Sequence, residues 1–468
     1  MAAGSGTFRG NCQANRRSAS YRTKMSNVLD LLDQTMYDIN QATRSSTLLQ
    51  SVWEYDHPID IAGLQRFHGH IQRGRLSRCI ARSPLPFGRS RWVKPENSSE
   101  LEIVELARPR EAFDDWLDEQ VNRPLDSEHG PGWHLATVPF TNGGAGVSLV
   151  VSHCLADGVG LWQAMAEAAL GQDDPINWPS AGSRGRWKAI RQDAGQTVRD
   201  IPAIGRAIVG AIRLGQQGRN AAGAATPPTT ASPAPAETDE SHLLPTATIF
   251  IDVDKWDACA HALGGTRNTL LVGLAARLAQ RAGRVASDGS VVVTLPVNER
   301  TPGDTRANAI GGVRATVDPA SATTDLRNIR AAVKQELIRH SQEPDPQQVL
   351  NALVPLMSER VLRAARGATR GNPFNLVGAS NVGEVDPAAG RADGTDAAFF
   401  ALRLHHLGVS ASTLHRYGGV QTMLSGTVNG QFFISLISYL PGRANSNDEL
   451  RLDLSTALKE FSLSGTFL

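Results

Sequence analysis

The stretch SLVVSHCLADGVGLWQAMAEA, from Ser148 to Ala168, decides how this sequence is read. A Val- and Leu-rich run ends at His153, three residues intervene, and Asp157-Gly158 opens a segment rich in Leu, Ala and Met. That pattern predicts a buried strand turning into a helix. Asp157 suits the helix N-cap and the positive end of the helix dipole. Gly158 supplies the freedom for a sharp turn or a positive φ. On these roles alone His153 reads as a core histidine with satisfied hydrogen bonds. A second reading stays open beside it: the turn fixes an imidazole at a backbone edge, where it can act as a base.

Working outward, GWHLATVPF and GVSLVVSH read as two strands joined by the Asn/Gly turn TNGGAG, a hairpin whose second strand delivers His153. Helical and strand-like pieces alternate between Leu31 and Glu119, and SPLPFGRSRWV crosses into a short strand. Residues 184–219 hold Arg and Lys at helical spacing among Trp187, Ile190, Val198, Ile201, Ile204, Ile208, Val209 and Ile212. The favoured expectation is a helical connection whose apolar side packs on the body of the protein. The alternative is a basic, isoleucine-rich face that makes peripheral contact with an anionic membrane.

The Ala/Pro/Thr-rich segment 221–240 cannot build a core and reads as an extended linker. Beyond it ATIFIDVD, GSVVVTLPVNER, NLVGASNVGEV, AAFFALRLHHLGVS, VQTMLSGTV and QFFISLISYL read as strands, the last two meeting at Asn429-Gly430. KWDACAHAL, the segment opened by GGTRNT, and SNDELRLDLSTALKEF read as helices, the last capped by Ser446 or Asn447. The organisation expected is therefore α/β (α+β): a disordered basic segment at 1–24, a first lobe at 25–220, the linker at 221–240, and a second lobe at 241–468. Met25 is a candidate for the natural start.

With 468 residues the chain can bury two cores, and 47 basic against 46 acidic residues give no global pull toward nucleic acid. Cys12, Cys79, Cys154 and Cys259 show no CxxC spacing, which suits a reducing compartment and excludes a zinc ribbon. No apolar run approaches the roughly 18 to 20 residues of a membrane span, and no signal-type apolar segment stands at the N-terminus. The expected localisation is cytoplasmic, with the inner face of the membrane as a peripheral contact. A Cys154/His153 nucleophile pair is disfavoured because neighbouring strand residues point to opposite faces. His153 with Asp157 lacks a third ligand for a metal site. His405-His406 reads as one buried and one exposed histidine.

Ser148–Ala168 resembles the HHxxxDG signature of the CoA-dependent acyltransferase superfamily. Three further stretches resemble its wax ester synthase, polyketide-associated acyltransferase and condensation-domain branches: LGGTRNTLLVGLAARLAQR (Leu263–Arg281), LPVNERTPGDTRANAIGG (Leu295–Gly312) and GASNVGEV (Gly378–Val385). Ser152 stands where the signature has its first His, the DFGWG motif of the plant branch is absent, and no proline follows SNVG. The resemblance implies two chloramphenicol-acetyltransferase-like lobes, each a mixed sheet with helices, around a tunnel. It implies His153 as general base, Asp157 as a structural residue paired with Arg300, and an oxyanion site at the Gly158 amide or near Ser380 and Asn381. It implies an acyl donor on CoA or a carrier protein, a lipid- or polyketide-like alcohol as acceptor, and neither metal nor redox cofactor. An amide-forming condensation enzyme and a catalytically silent scaffold are the alternatives.

Overall fold

The computed structural model describes residues 26–172, 177–222, 243–301, 303–343, 345–368 and 376–468. The segment 1–24, Met25 and residues 223–240 of the expected linker lie outside the described residues.

The first half supplies β1 (Ser46–Tyr55), β2 (Cys79–Ala81), β3 (Arg91–Val93), β4 (Leu101–Ile103), β5 (Trp133–Pro139) and β6 (Ala145–Ser152). The second supplies β7 (Thr246–Asp252), β8 (Val291–Asn298), β9 (Ile310–Val317), β10 (Leu376–Glu384), β11 (Phe399–Leu407), β12 (Val420–Val428), β13 (Gln431–Tyr439) and β14 (Thr466–Phe467). A five-stranded sheet runs β11-β1-β6-β5-β4, and a seven-stranded sheet runs β14-β7-β13-β12-β10-β8-β9. Every residue of β6 is buried, which is why it reads as a continuous apolar run rather than an alternating one. The hairpin expected between β5 and β6 forms, with Trp133 opposite Val151. Asn429 and Gly430 turn β12 into β13 with positive φ angles of 47° and 74°, as a two-residue hairpin requires.

The linker does not partition the sheets. β11 lies far into the second half, yet it pairs antiparallel with β1, Ser46 opposite Leu407 through Glu54 opposite Phe399. It covers what would otherwise be an exposed edge of the first sheet. Arg403 on β11 is buried and donates to Asp114 (2.7 Å) and to Thr248 (3.0 Å). The Trp53 indole donates to the Ala389 carbonyl at 2.8 Å. The two halves therefore share polar contacts across their junction as well as apolar packing, in which Val382 and Phe433 join the first-sheet core.

Behind the seven-stranded sheet, the helix Arg267–Arg281 starts at Thr266 in a reciprocal capping box with Thr269. Its residues from Thr269 to Ala276 are all buried.

The helix Arg186–Ala222 departs from the favoured expectation. Its apolar side does not pack on the body. Trp187, Val198, Ile201, Ile208, Val209 and Ile212 are exposed, and the inward face is formed by Ala189, Asp193 and Ala207. Asp193 pairs with Arg91 and Arg184, and Asp200 with Arg89. Ion pairs to the first lobe, with packing against Pro346–Leu350 and Asn351–Leu356 of the second half, dock the helix. Periodicity locates an apolar stripe without saying which way it faces.

Candidate active site

The strand β6 ends at Ser152, and the next residues turn sharply, the Leu155 amide donating to the Ser152 carbonyl at 2.8 Å. His153 sits in that turn. Its amide donates to the Thr47 carbonyl on β1 (2.9 Å), and its carbonyl accepts from the Asn308 side chain (3.1 Å). Both peptide groups of the histidine are thus held, one by each half of the chain. Its Nδ1 is enclosed and makes no hydrogen bond of good geometry among the described residues. Burial lowers the pKa of the imidazole from its ordinary value, opposed in part by its own carbonyl and by the Asp157 charge.

Asp157 caps the helix Gly158–Ala169, Oδ1 accepting from the Gly160 amide at 2.6 Å. Oδ2 accepts from Arg300 Nη2 and from the Ala309 amide, each at 2.8 Å. The Asp157 amide in turn donates to the Ala307 carbonyl. Arg300 also donates to the Arg306 and Ala307 carbonyls through Nη1 and Nη2, both at 3.0 Å. The Asp157–Arg300 pair is almost solvent-free, with side chains 2 % and 5 % exposed. Gly158 is the first residue of the helix and does not have positive φ. Glycine is needed there for close approach, because a Cβ would lie 2.8 Å from a Val382 methyl group of β10.

Three residues that sequence reasoning passed over complete the arrangement. Asp33, in the helix Leu31–Thr43, accepts from the Ala307 and Asn308 amides (3.1 and 2.8 Å) and from the Asn308 side chain (3.0 Å). Arg78 donates to the Thr305 and Leu155 carbonyls (2.7 and 2.6 Å), its guanidinium stacked 4.3 Å over Trp92. Asn308 thereby links the Asp33 carboxylate to the His153 carbonyl. The loop residues 303–309 of the second half are clamped onto the histidine turn by charged groups of the first. Asn308 lies inside the quoted stretch TRANAIGG, but a polar residue in a loop gives no sign of burial. Asp33 has the sequence setting of an ordinary first-turn acid.

Two cavities matter here: the smaller borders this loop and the larger does not. One of about 470 Å³ is lined by Trp162, Asn298, Arg300 and Asp304. The other, of about 780 Å³, lies between the halves and is walled by Val377, Ala379, Leu404, Leu414 and Val420, with Ser380 and His406 among its polar groups. His153 lines neither. Thr47 stands between His153 and a wall of the larger cavity: its carbonyl holds the His153 amide, and its hydroxyl lies 3.3 Å from Nδ1 of His406, which lines that cavity.

No protein family and no curated protein matches the sequence. Solved structures do. The first condensation domain of the CDA synthetase superposes with a TM-score of 0.57 at 14 % identity, over 95 % of this chain and 99 % of that one. The wax ester synthase/diacylglycerol acyltransferase from Marinobacter aquaeolei VT8 gives 0.52 at 15 % identity, over 93 % and 100 %. Polyketide synthase associated protein 5 from Mycobacterium tuberculosis gives 0.50 at 13 % identity, over 94 % and 99 %. The chain has the CoA-dependent acyltransferase fold.

Within this acyltransferase fold the remaining sequence candidates divide. Ser380 borders the large cavity, while its carbonyl accepts from the Ser425 hydroxyl. Asn381 is turned elsewhere: its amide nitrogen donates to Asn268, and its oxygen accepts from the Gly383 amide at 2.8 Å. Cys154 is buried, accepts from the Asn40 side chain, and burial pushes its thiol up to about 12, so it is a packing residue without thiolate character. His405 is buried against Gln50, 3.0 Å away, and is pushed down to about 3 by burial. His406 is not the exposed histidine expected from the sequence. It is half-buried and lines the cavity, because β11, the end strand of the first sheet, packs against β12 and β13 of the second. Among the described residues, no helix is long and apolar enough to cross a membrane.

Proposed function

We propose that this chain is an acyltransferase that moves an acyl group from a CoA or carrier-protein thioester to a hydroxyl of a lipid- or polyketide-like acceptor. One observation carries the reading. A histidine of lowered pKa is held through both its peptide groups at the junction of the two halves, and an apolar cavity of about 780 Å³ opens between the same halves.

In this reaction His153 is the general base. Nδ1 is the enclosed nitrogen, so Nε2 takes the proton from the acceptor hydroxyl as its oxygen attacks the thioester carbonyl. The tetrahedral intermediate collapses by breaking the carbon–sulfur bond, and the departing thiolate takes the proton back from the imidazolium. Neutral imidazole is the form burial favours, which is the form a base needs near pH 7. Asp157 is a positioning residue: its two oxygens are committed to Gly160, Arg300 and Ala309. The Gly158 amide and the backbone at Ser380 are the candidate stabilisers of the oxyanion. The cavity's apolar wall favours a hydrocarbon-rich substrate arm.

Purified protein is tested with acyl-CoA and acyl-carrier thioesters against long-chain alcohols and amines, following release of free thiol. Ester formation with His153→Ala reduced by about 10²- to 10⁴-fold supports the reading. Amide formation from two carrier-bound substrates assigns a condensation enzyme instead. Thiol release unchanged in a folded His153→Ala protein removes the base, and no turnover with any pair leaves a scaffold of the same fold.

A further inference from the structure

The helix Arg186–Ala222 carries three faces with different chemistry. Its inward face, Ala189, Asp193, Asp200 and Ala207, is docked on the body by the ion pairs to Arg91 and Arg89. Its apolar face, Trp187, Val198, Ile201, Ile208 and Ile212, follows the helical repeat with Val209 alongside, and it is open to solvent: Trp187 is 83 % exposed and Ile201 57 %. Lys188, Arg199, Arg206 and Arg213 fall on one side of the helix next to that stripe, all exposed.

The charges are sorted. The helix has two acidic residues, Asp193 and Asp200, and both face inward onto lobe arginines. Among the described residues none of the four outward cations takes part in an ion pair. The outer surface is therefore an apolar ridge with an uncompensated cationic flank. Water-exposed isoleucines in a row are costly to leave uncovered.

From these observations we propose that the outer face of this helix docks on an anionic lipid surface. From Trp187 to Ile212 the stripe runs ~38 Å at 1.5 Å per residue, and an exposed apolar ridge of that length beside a cationic row suits a broad anionic surface. The apolar row enters the headgroup boundary while the adjacent Lys and Arg meet the anionic headgroups, and Trp187 anchors one end. A small acidic protein would meet the basic flank but would leave most of the apolar row uncovered. The inference does not depend on the acyl-transfer reading.

Full-length protein is floated with vesicles of phosphatidylcholine alone, or containing about one-third phosphatidylglycerol, at low and high salt. The expected result is binding to the anionic vesicles that weakens at least tenfold as salt rises, and far weaker binding to phosphatidylcholine. The combined change Lys188→Gln, Arg199→Gln, Arg206→Gln and Arg213→Gln should weaken anionic binding at least tenfold. Ile201→Ser with Ile208→Ser and Ile212→Ser should do the same with circular dichroism unchanged. No binding at low salt, or equal binding to both vesicle types, overturns the proposal without recourse to any variant. So does a charge variant that still floats with anionic vesicles but has lost affinity for an acidic carrier protein, which would assign the face to a protein partner.

Discussion

Asp157 and Arg300 meet at 2.8 Å although 143 residues separate them in the chain, and both side chains are shut off from solvent. The aspartate is simultaneously the N-cap of the helix that follows the histidine turn. One carboxylate therefore couples local helix geometry to the docking of the second half. The pairing draws Arg300 into the junction although its neighbours Asn298, Thr301 and Gly303 stay exposed.

Breaking this pair from one side strands a buried charge. Arg300→Met leaves the Asp157 carboxylate with only the Gly160 and Ala309 amides, and should cost about 3–5 kcal/mol in urea unfolding. Asp157→Asn with Arg300→Met removes both charges and should cost less than the sum of the two single changes, with a coupling of about 1–3 kcal/mol. Additive single and double variants would show that the pair is not a unit.

Asn308 is expected to act through His153. Its side chain holds the His153 carbonyl while taking its own orientation from Asp33. Asn308→Ala should lower kcat about 10- to 100-fold with KM little changed, because misplacing the base affects the transition state more than substrate binding. Asn308 also favours the protonated ring of His153. The variant should therefore move the acid limb of the pH–rate profile to lower pH, which a general loss of stability would not do. A profile that keeps its acid limb while kcat falls would count against the positioning role.

How far the sequence leads depends on which forces leave a local trace. The β5–β6 hairpin, the Asp157 cap and the Asn429-Gly430 turn were legible because each follows from residues close in sequence. The partnership of Asp157 with Arg300 came from resemblance alone, since no local pattern pairs residues so far apart. β11 was legible as a strand but not as part of the first sheet, because its pairing with β1 is a tertiary choice. Asp33 and Arg78 left no trace, as a buried ion and a surface ion look identical in sequence. The long helix shows the same limit. Its stripe was visible, and its docking through Asp193 and Asp200 rather than through the isoleucines was not.

Asp33 makes stability depend on pH in a defined window. Burial pushes its carboxyl up from 3.8 to about 6, opposed by the Arg78 charge and the Asn308 and Ala307 hydrogen bonds. The folded state thus holds this proton more tightly than the unfolded chain does. The resulting stabilisation is fully present below pH 3.8 and is lost as pH rises through about 6. Asp38 and Asp118 are also pushed up to about 6, so the single variant Asp33→Asn is compared with wild type at each pH, where their contributions cancel. Relative to Asp33→Asn, wild type should lose up to about 3 kcal/mol between pH 4 and pH 7 in urea unfolding. A difference that stays constant across that range would mean that Asp33 is already ionised in the folded protein at low pH.

The pH dependence of turnover tests the histidine directly. Burial lowers the His153 pKa from 6.5, so the ring loses its proton more readily than a free imidazole. A base works only unprotonated, so kcat/KM should hold as pH falls to 6.5 and decline only below it. The Asp157 charge is one of the influences holding the pKa up. Asp157→Asn keeps an N-cap oxygen for Gly160 and removes that charge, so it should displace the acid limb further downward while lowering kcat through the weakened Arg300 contact. An acid limb above pH 6.5, unmoved by Asp157→Asn, would place the titrating group elsewhere. Proton abstraction by His153 could not then account for the rate.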